Sequence, residues 1–282
     1  LKKAGNKAKG ADLYVSLEPC CHMGRTPPCT DAIIQAGVSR VFAGMKDPNK
    51  LVQGKGIRAL KAAGIKVSYG LMKDDCEKLN EVFVKFMKTG LPFVSVKTAM
   101  SLDGKIATRQ GDSQWISGVK ARDFVHELRS RNDAILVGTN TILKDNPQLT
   151  CRLKRKGVRH PARIILDRKN RIPLKAKVFS NGKTQRVIYV SGPNLSAVRE
   201  KSLVGKSVEI IKGKTGKSGF DLKHLMKNLA KKDLTSILIE GGGEINGSAI
   251  SAGIVDRVYA FISPILIGGH QAPGPIGGMG VS

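Results

Sequence analysis

The chain has 282 residues, 41% of them hydrophobic, which suggests about two domains on the common ~100–200 residues per domain. A formal charge of +26 comes from basic residues spread along the whole chain, and aromatics are only 5% with no interleaved stacking stripe; this reads as a lysine-rich solvated surface and disfavours a nucleic-acid partner. No apolar run nears the ~20 residues that span a bilayer and no signal peptide is visible, while five unevenly placed cysteines (Cys20, Cys21, Cys29, Cys76 and Cys151) form no disulfide framework, so the composition points to a soluble protein of a reducing cytoplasm.

The chain opens on Leu1 and runs into Lys2-Lys3-Ala4-Gly5 as though entering mid-helix, which reads as a fragment. Strand and helix then alternate: residues 13–17 form an apolar strand, 30–36 a helix, 41–45 a strand, 57–63 a helix and 65–69 a strand. This is βαβ patterning. A single longer helix is expected over 73–88, with Leu79, Val82, Phe83 and Phe86 on one face, until Gly90-Leu91-Pro92 breaks it. A second α/β domain follows, with strands at 93–99, 134–137, 163–166, 187–190, 208–211, 236–240 and 257–262 and helices at 119–131 and 221–231. Domains are therefore expected at 1–90 and 91–282. The glycine-rich end from Gly268 stops without a closing element, so the C-terminus also reads as cut.

Residues 17–29 carry the first chemistry: Leu-Glu-Pro-Cys-Cys-His-Met-Gly-Arg-Thr-Pro-Pro-Cys. Two thiols beside a proline turn, just past a strand, are half of a zinc deaminase site. Such sites hold Zn²⁺ through one His and two Cys so that a bound water ionises near neutral pH, while a non-ligand Glu shuttles protons. Cys20 and Cys29 are the candidate ligands. They enclose eight residues rather than the usual two, and no His lies in residues 1–19. Cys29 falls at the start of the first helix, where free N–H groups favour a negative sulfur. Cys21 is expected to point away, and Cys76 and Cys151 to be packing residues.

The second chemistry lies at Ile237-Leu238-Ile239-Glu240-Gly241-Gly242-Gly243-Glu244-Ile245-Asn246-Gly247, a strand running through glycines into a helix. Glycines admit a pyrophosphate close to the backbone, and a helix start offers N–H donors. The spacing Gly-x-Gly-x-x-x-Gly fails the dinucleotide fingerprint, and Asp256 comes sooner than the ~20 residues expected of a ribose-binding acid. An ordinary Rossmann domain is disfavoured.

Glu18-Pro19-Cys20, His22, Gly24-Arg25-Thr26-Pro27-Pro28 and Cys29 together resemble the deaminase half of the bifunctional riboflavin-biosynthesis deaminase/reductases. Lys97-Thr98-Ala99-Met100-Ser101-Leu102-Asp103-Gly104-Lys105, Ser113-Gln114-Trp115-Ile116, Leu128-Arg129, Gly138-Thr139-Asn140-Thr141, Asp145-Asn146-Pro147-Gln148-Leu149-Thr150-Cys151-Arg152 and Glu240-Gly241-Gly242-Gly243 are similar, in order and spacing, to the reductase half. The resemblance covers nearly the whole chain. It implies a truncated cytidine-deaminase-like α/β domain followed by a dihydrofolate-reductase-like α/β domain, with Zn²⁺ and NADPH as cofactors.

Position by position, the resemblance implies that His22, Arg25, Asp47 and Asn49 contact the deaminase substrate, that Ala99, Trp115, Thr141, Asp145, Gly241, Gly242 and Gly243 bind NADPH, and that Lys97, Ser113, Arg129, Leu149, Arg152 and Glu240 bind the reductase substrate. Arg129 and Arg152 can fork onto a phosphate, and Glu240 can accept from sugar hydroxyls. The implied activity is deamination of 2,5-diamino-6-(5-phosphoribosylamino)pyrimidin-4-one followed by reduction of the ribosyl group to ribityl. The implied partner is a phosphorylated pyrimidine, with no nucleic acid and no membrane, in a homo-oligomer. The zinc His and the catalytic Glu of that family lie before Leu1, so this stretch alone is expected not to deaminate. A nucleic-acid-binding deaminase would leave the second domain's motifs unexplained. A pterin or folate reductase with a degenerate zinc module is disfavoured by the arginines placed for a phosphorylated sugar.

Overall fold

The computed structural model describes residues 1–280 apart from 25, 114, 115, 181, 183, 217, 218 and 279. The chain divides into two units, Leu1–Gly90 and Leu91–Ser282.

In the first unit, β1 (Asp12–Leu17), α1 (Cys29–Gln35), β2 (Arg40–Met45), α2 (Lys55–Ala62) and β3 (Lys66–Tyr69) alternate. The three strands lie in the order β1-β2-β3, all parallel. Alternate residues of the strands, Leu13, Val15, Val41 and Val67, turn to one face and meet Ile33 of α1 and Leu60 of α2. The expected helix over 73–88 is instead two, α3 (Lys73–Leu79) and α4 (Glu81–Thr89). Asn80 parts them with its backbone at φ −104°, ψ 16°, and its amide Nδ2 donates back to the Cys76 carbonyl at 2.8 Å. This is the local competition with helix that short polar side chains exert. Neither helix has a fully buried residue and Leu79 is exposed, so the expected apolar face does not enter a core.

The second unit is a seven-stranded parallel sheet flanked by helices. Its strands are β4 (Phe93–Ser101), β5 (Ala134–Gly138), β6 (Ala162–Asp167), β7 (Val187–Ser191), β8 (Val208–Lys212), β11 (Ser236–Ile239) and β12 (Arg257–Ser263), in the order β12-β4-β11-β5-β6-β7-β8. A two-stranded ribbon, β9 (Thr215–Gly216) with β10 (Gly219–Phe220), stands apart. The helices are α5 (Val119–Arg131), α6 (Thr139–Asp145), α7 (Ala197–Gly205), α8 (Leu222–Ala230) and α9 (Gly243–Ser251).

Both faces of the inner strands β5, β6, β7 and β11 are covered, which is why they read as continuous apolar runs, while the edge strand β12 alternates in exposure. Leu136, Ile164, Ile188, Ile237 and Ile239 point to Leu225, Met226 and Leu229 of α8, while Ile135, Val137, Ile165 and Tyr189 point the other way to Ile142 of α6 and Leu203 of α7. Because the strands are parallel, all their carboxyl ends fall on one rim. Lys97 and Ala99 near the end of β4, the turn after β5, Asp167 ending β6 and Glu240 following β11 share that rim. Ligands of open parallel sheets bind there.

Candidate functional site

In the first unit, α1 begins at Cys29, and the Cys29 backbone N–H donates to Cys20 Sγ at 3.3 Å. The helix-start donor expected to favour the Cys29 sulfur therefore serves its partner. The Cys29 thiol itself is pushed up by its hydrogen bond with Cys20 and then by burial. Asp47 is buried, and burial raises its pKa while the nearby His22 works against the rise. His22 Nδ1 is itself buried and has no hydrogen-bond partner among the described residues. Asp47 Oδ1 accepts from Asn49 N at 2.7 Å, and Asn49 Oδ1 accepts from Leu51 N at 3.0 Å, a pair of side-chain-closed turns. The structure thus brings Cys20 to Cys29. Arg25 lies outside the described residues. Among the described residues no three His, Cys, Asp or Glu side chains converge, so the donor set on this stretch is two thiols, half of a tetrahedral zinc site.

Glu18, passed over as a role in the sequence, holds this region together. It is buried, and its carboxylate accepts from the backbone N–H groups of Asp47 at 3.1 Å, Gly54 at 2.9 Å and Ile57 at 3.1 Å. Glu18→Leu leaves those three donors unmatched and should lower the stability of the unit by about 2–4 kcal/mol, read as a drop in the urea midpoint. An unchanged midpoint would show that water replaces the carboxylate.

In the second unit the centre of the rim is an ion pair. Arg129, in the last turn of α5, meets Glu240 with Nε–Oε1 at 2.6 Å and Nη2–Oε2 at 2.8 Å, and its Nη1 donates to the Thr150 carbonyl at 3.1 Å. Both side chains are largely buried, 13% and 8% exposed. The sequence reading gave the two residues separate substrate contacts. Here the fork of Arg129 closes on Glu240, so Arg129 fixes the carboxylate and the Thr150 backbone rather than presenting an open fork. Lys97 stands beside the pair: burial pushes its ammonium pKa down, Glu240 opposes this and Arg129 adds to it. Its Nζ lies 5.9 Å from the Phe261 ring centre.

Residues 149–152 run past the same place. Leu149 is buried with a left-handed backbone at φ +54°, and Asn146 is left-handed at φ +40°. Two such residues in one short loop are a strained conformation held by its surroundings. Arg152 is exposed, and its backbone N–H donates to His126 Nδ1 at 3.3 Å.

The glycine turn is more complicated than its sequence suggests. A Cβ on Gly243 would lie 2.7 Å from the Gly274 carbonyl, and one on Gly247 would collide with the Gly277 carbonyl. The tail thus lies across the start of α9, where Gly277 N donates to Gly243 O at 2.8 Å and Asn246 Nδ2 to Pro275 O at 2.9 Å. Gly241 is crowded by Ile245, and of the three only Gly242 faces open space among the described residues. Ile245 N and Asn246 N donate to the Gly242 carbonyl at 3.1 and 3.2 Å, so the turn would fit NADPH through the two amides before them, those of Gly243 and Glu244, and through the approach at Gly242, open among the described residues. Of the other positions expected on NADPH, Ala99 is in β4, and Thr141 and Asp145 are in α6 after β5. Trp115 lies outside the described residues, and Ser113 is in the loop before α5.

Asp167, at the end of β6, was also missed. It is fully buried and accepts from Arg171 N at 3.0 Å, Ile172 N at 2.8 Å, Tyr189 Oη at 2.8 Å and Thr139 Oγ1 at 3.1 Å, with Arg199 Nη2 at 3.8 Å. Its place closing an apolar run, next to the basic run Arg168-Lys169-Asn170-Arg171, was the available signal.

Two family models match the chain. Residues 92–282 match a family model described as the RibD C-terminal domain, and residues 1–45 match the cytidine and deoxycytidylate deaminase zinc-binding region. The riboflavin biosynthesis protein RibD of Bacillus amyloliquefaciens is 43% identical over 281 residues, 99% of this chain and 74% of the relative. The solved Acinetobacter baumannii RibD superposes with a TM-score of 0.88 at 36% identity, over 100% of this chain and 76% of that one. A Thermotoga maritima structure described as a diaminohydroxyphosphoribosylaminopyrimidine deaminase/5-amino-6-(5-phosphoribosylamino)uracil reductase gives 0.82 at 38% identity, covering 95% and 72%. With likeness of that degree running through both halves, the chain belongs to the RibD family of bifunctional riboflavin-biosynthesis deaminase/reductases.

Proposed function

We propose that the rim of the second unit is the reductase site for 5-amino-6-(5-phosphoribosylamino)uracil, and that the first unit supplies residues for deamination of the preceding diaminopyrimidine. The observation that carries the reductase reading is the buried Arg129–Glu240 pair, which joins α5, β11 and the 150–152 segment beside Lys97 on the carboxyl rim. When bound, NADPH supplies the hydride that reduces the ribosyl C1′ in its open or imine form. Gly242 and the start of α9 hold the cofactor's phosphates, while Thr141 and Asp145 line the neighbouring rim. Arg152 reaches the substrate phosphate from an exposed position, and Leu149 shapes the wall of its pocket. Glu240, fixed by Arg129, orients sugar hydroxyls. Lys97 Nζ, whose pKa burial lowers, holds a proton that it can release to the sugar oxygen as the ring opens. In the first unit, Cys20 and Cys29 would hold zinc as two of its ligands, and His22, Asp47 and Asn49 would face the substrate sugar and phosphate.

The sharpest test is Arg152→Ala. A charge-assisted contact to phosphate is worth about 1.5–3 kcal/mol, so reductase kcat/KM should fall roughly tenfold to a hundredfold with little change in NADPH affinity. Lysine should recover only part, since an ammonium cannot make the bidentate pair. Weakened NADPH binding with an unchanged substrate KM would move this loop to the cofactor.

We also read the protein as a homo-oligomer of the cytoplasm. Exposed Val258 and Ile262 on the edge strand β12 support the first part, and the free state of all five cysteines supports the second. Among the described residues no helix is long and apolar enough to cross a membrane.

A further inference from the structure

The residue that takes the Arg152 backbone N–H is His126, one helical turn before Arg129 on α5. Four bonds tie residues 150–152 to their neighbours. Thr150 O accepts from Arg129 Nη1 at 3.1 Å, Cys151 Sγ donates to His126 O at 3.2 Å, Cys151 N donates to His160 Nδ1 at 3.3 Å and Arg152 N donates to His126 Nδ1 at 3.3 Å. The last bond requires Nδ1 to be unprotonated, because a protonated imidazole has no acceptor. The surroundings favour that state. Burial, Arg129 and Arg152 push the His126 pKa below its ordinary 6.5, against weaker pulls from Glu240 and from Asp123 on the same helix.

We infer that His126 is a positioning residue of the reductase: its neutral imidazole holds the Arg152 backbone and so sets the guanidinium where the substrate phosphate arrives. This rests on the reading that Arg152 binds that phosphate. His126 makes no substrate contact itself. It acts at the point where a helix that carries the central ion pair meets the exposed arm that carries the phosphate-binding cation. Protonation of Nδ1 turns an accepting atom into a donor facing a donor, so acid releases the arm.

The test is steady-state NADPH oxidation by the full chain with 5-amino-6-(5-phosphoribosylamino)uracil, comparing wild type, His126→Phe, His126→Asn and Arg152→Ala. His126→Phe keeps the ring and loses the acceptor. Its substrate KM should rise roughly five- to tenfold, the size of one lost hydrogen bond, with kcat and NADPH KM nearly unchanged. His126→Asn places a non-titrating carbonyl oxygen near the Nδ1 position and should restore the KM at neutral pH. As pH falls through the lowered imidazole pKa, the wild-type KM should climb above that of His126→Asn. Titration of the substrate phosphate is common to both, so the difference reports His126. If His126→Phe folds poorly, by its thermal midpoint, the pH comparison of wild type with His126→Asn still decides. A KM that falls in acid for wild type relative to His126→Asn would mean that a cationic His126 meets the phosphate directly, and would overturn the positioning role. So would an unchanged KM in a folded His126→Phe. If Arg152→Ala leaves the substrate KM unchanged, the underlying reading of the loop has failed. If Arg152→Ala raises it and the His126 variants do not, only the present inference has failed.

Discussion

Glu240→Leu should lower the stability of the second unit by about 3–5 kcal/mol, because it strips the counter-charge from a largely buried arginine. Lys97 shares the same carboxylate, so two buried cations lose their partner at once. The unfolding can be followed by the fluorescence of Trp115, the one tryptophan of the chain, which belongs by sequence to this unit. Reductase kcat/KM should fall by at least tenfold, since the carboxylate proposed to orient the sugar is gone and Arg129, which holds the Thr150 carbonyl, is left without the partner that fixes it. Combining Glu240→Leu with Arg129→Met separates the two effects. Two apolar side chains of similar volume should return most of the stability, because the desolvation of the charges disappears along with their attraction. Activity should stay lost. Recovery of both together would show that the pair serves packing alone, and an unaltered urea midpoint in Glu240→Leu would show that water reaches the pair.

Asp167→Ala is the second large change. It leaves two backbone N–H groups, the Tyr189 hydroxyl and the Arg199 guanidinium facing a void, at a cost of about 3–5 kcal/mol. Tyr189 is fully buried, and its phenol is pushed well above its ordinary pKa by burial and then by Asp167, so it stays a donor. Thr139 opens α6 and donates to both Asp167 and the Leu166 carbonyl. Loosening that corner should raise the NADPH KM more than the substrate KM, because Thr141 stands in the first turn of α6. Asp167→Asn keeps one acceptor oxygen and should fall between wild type and alanine in both properties. If the alanine variant is destabilised but its two KM values move together, the network supports the fold without favouring the cofactor side.

The elements that were legible are those whose own residues decide them. The bounds of α5 follow from local pattern, and β5, β6, β7 and β11 are buried along their whole length, so each stands out as a run. α6 was not legible because Thr139, Asn140, Thr141 and Asp145 are weak helix formers in a two-turn segment, and it forms because Ile142 is drawn into the core. α7 carried a readable sign that was passed over: Ser196 accepts from Arg199 N, an N-cap. The break at Asn80 depends on one side chain turning back on its helix. The candidate site divides along the same line. Motif residues were nameable singly, but which of them meet is long-range information. Nothing near Arg129 announces a partner 111 positions on. The crowding of Gly243 and Gly247 by the tail is equally invisible, because the glycines look the same whether the approaching backbone is their own chain or a ligand's phosphate.

The position of β11 between β4 and β5 bears on how the molecule comes into being. Strands β5, β6, β7 and β8 are neighbours in the order in which they are synthesised, so they can pair as they emerge from the ribosome. β4 emerges before all of them and then waits, since its two partners, β11 and β12, are made last. At about 5–20 residues per second, Glu240 follows Arg129 out of the ribosome by roughly 5–20 s. During that interval the nascent chain carries β4, with its buried Val94 and Val96, unpaired and one edge of the wholly buried β5 bare, which is the state that invites wrong pairing or chaperone capture. Closure of the sheet and completion of the charged rim are therefore one event, and a chain that stalls before β11 has neither.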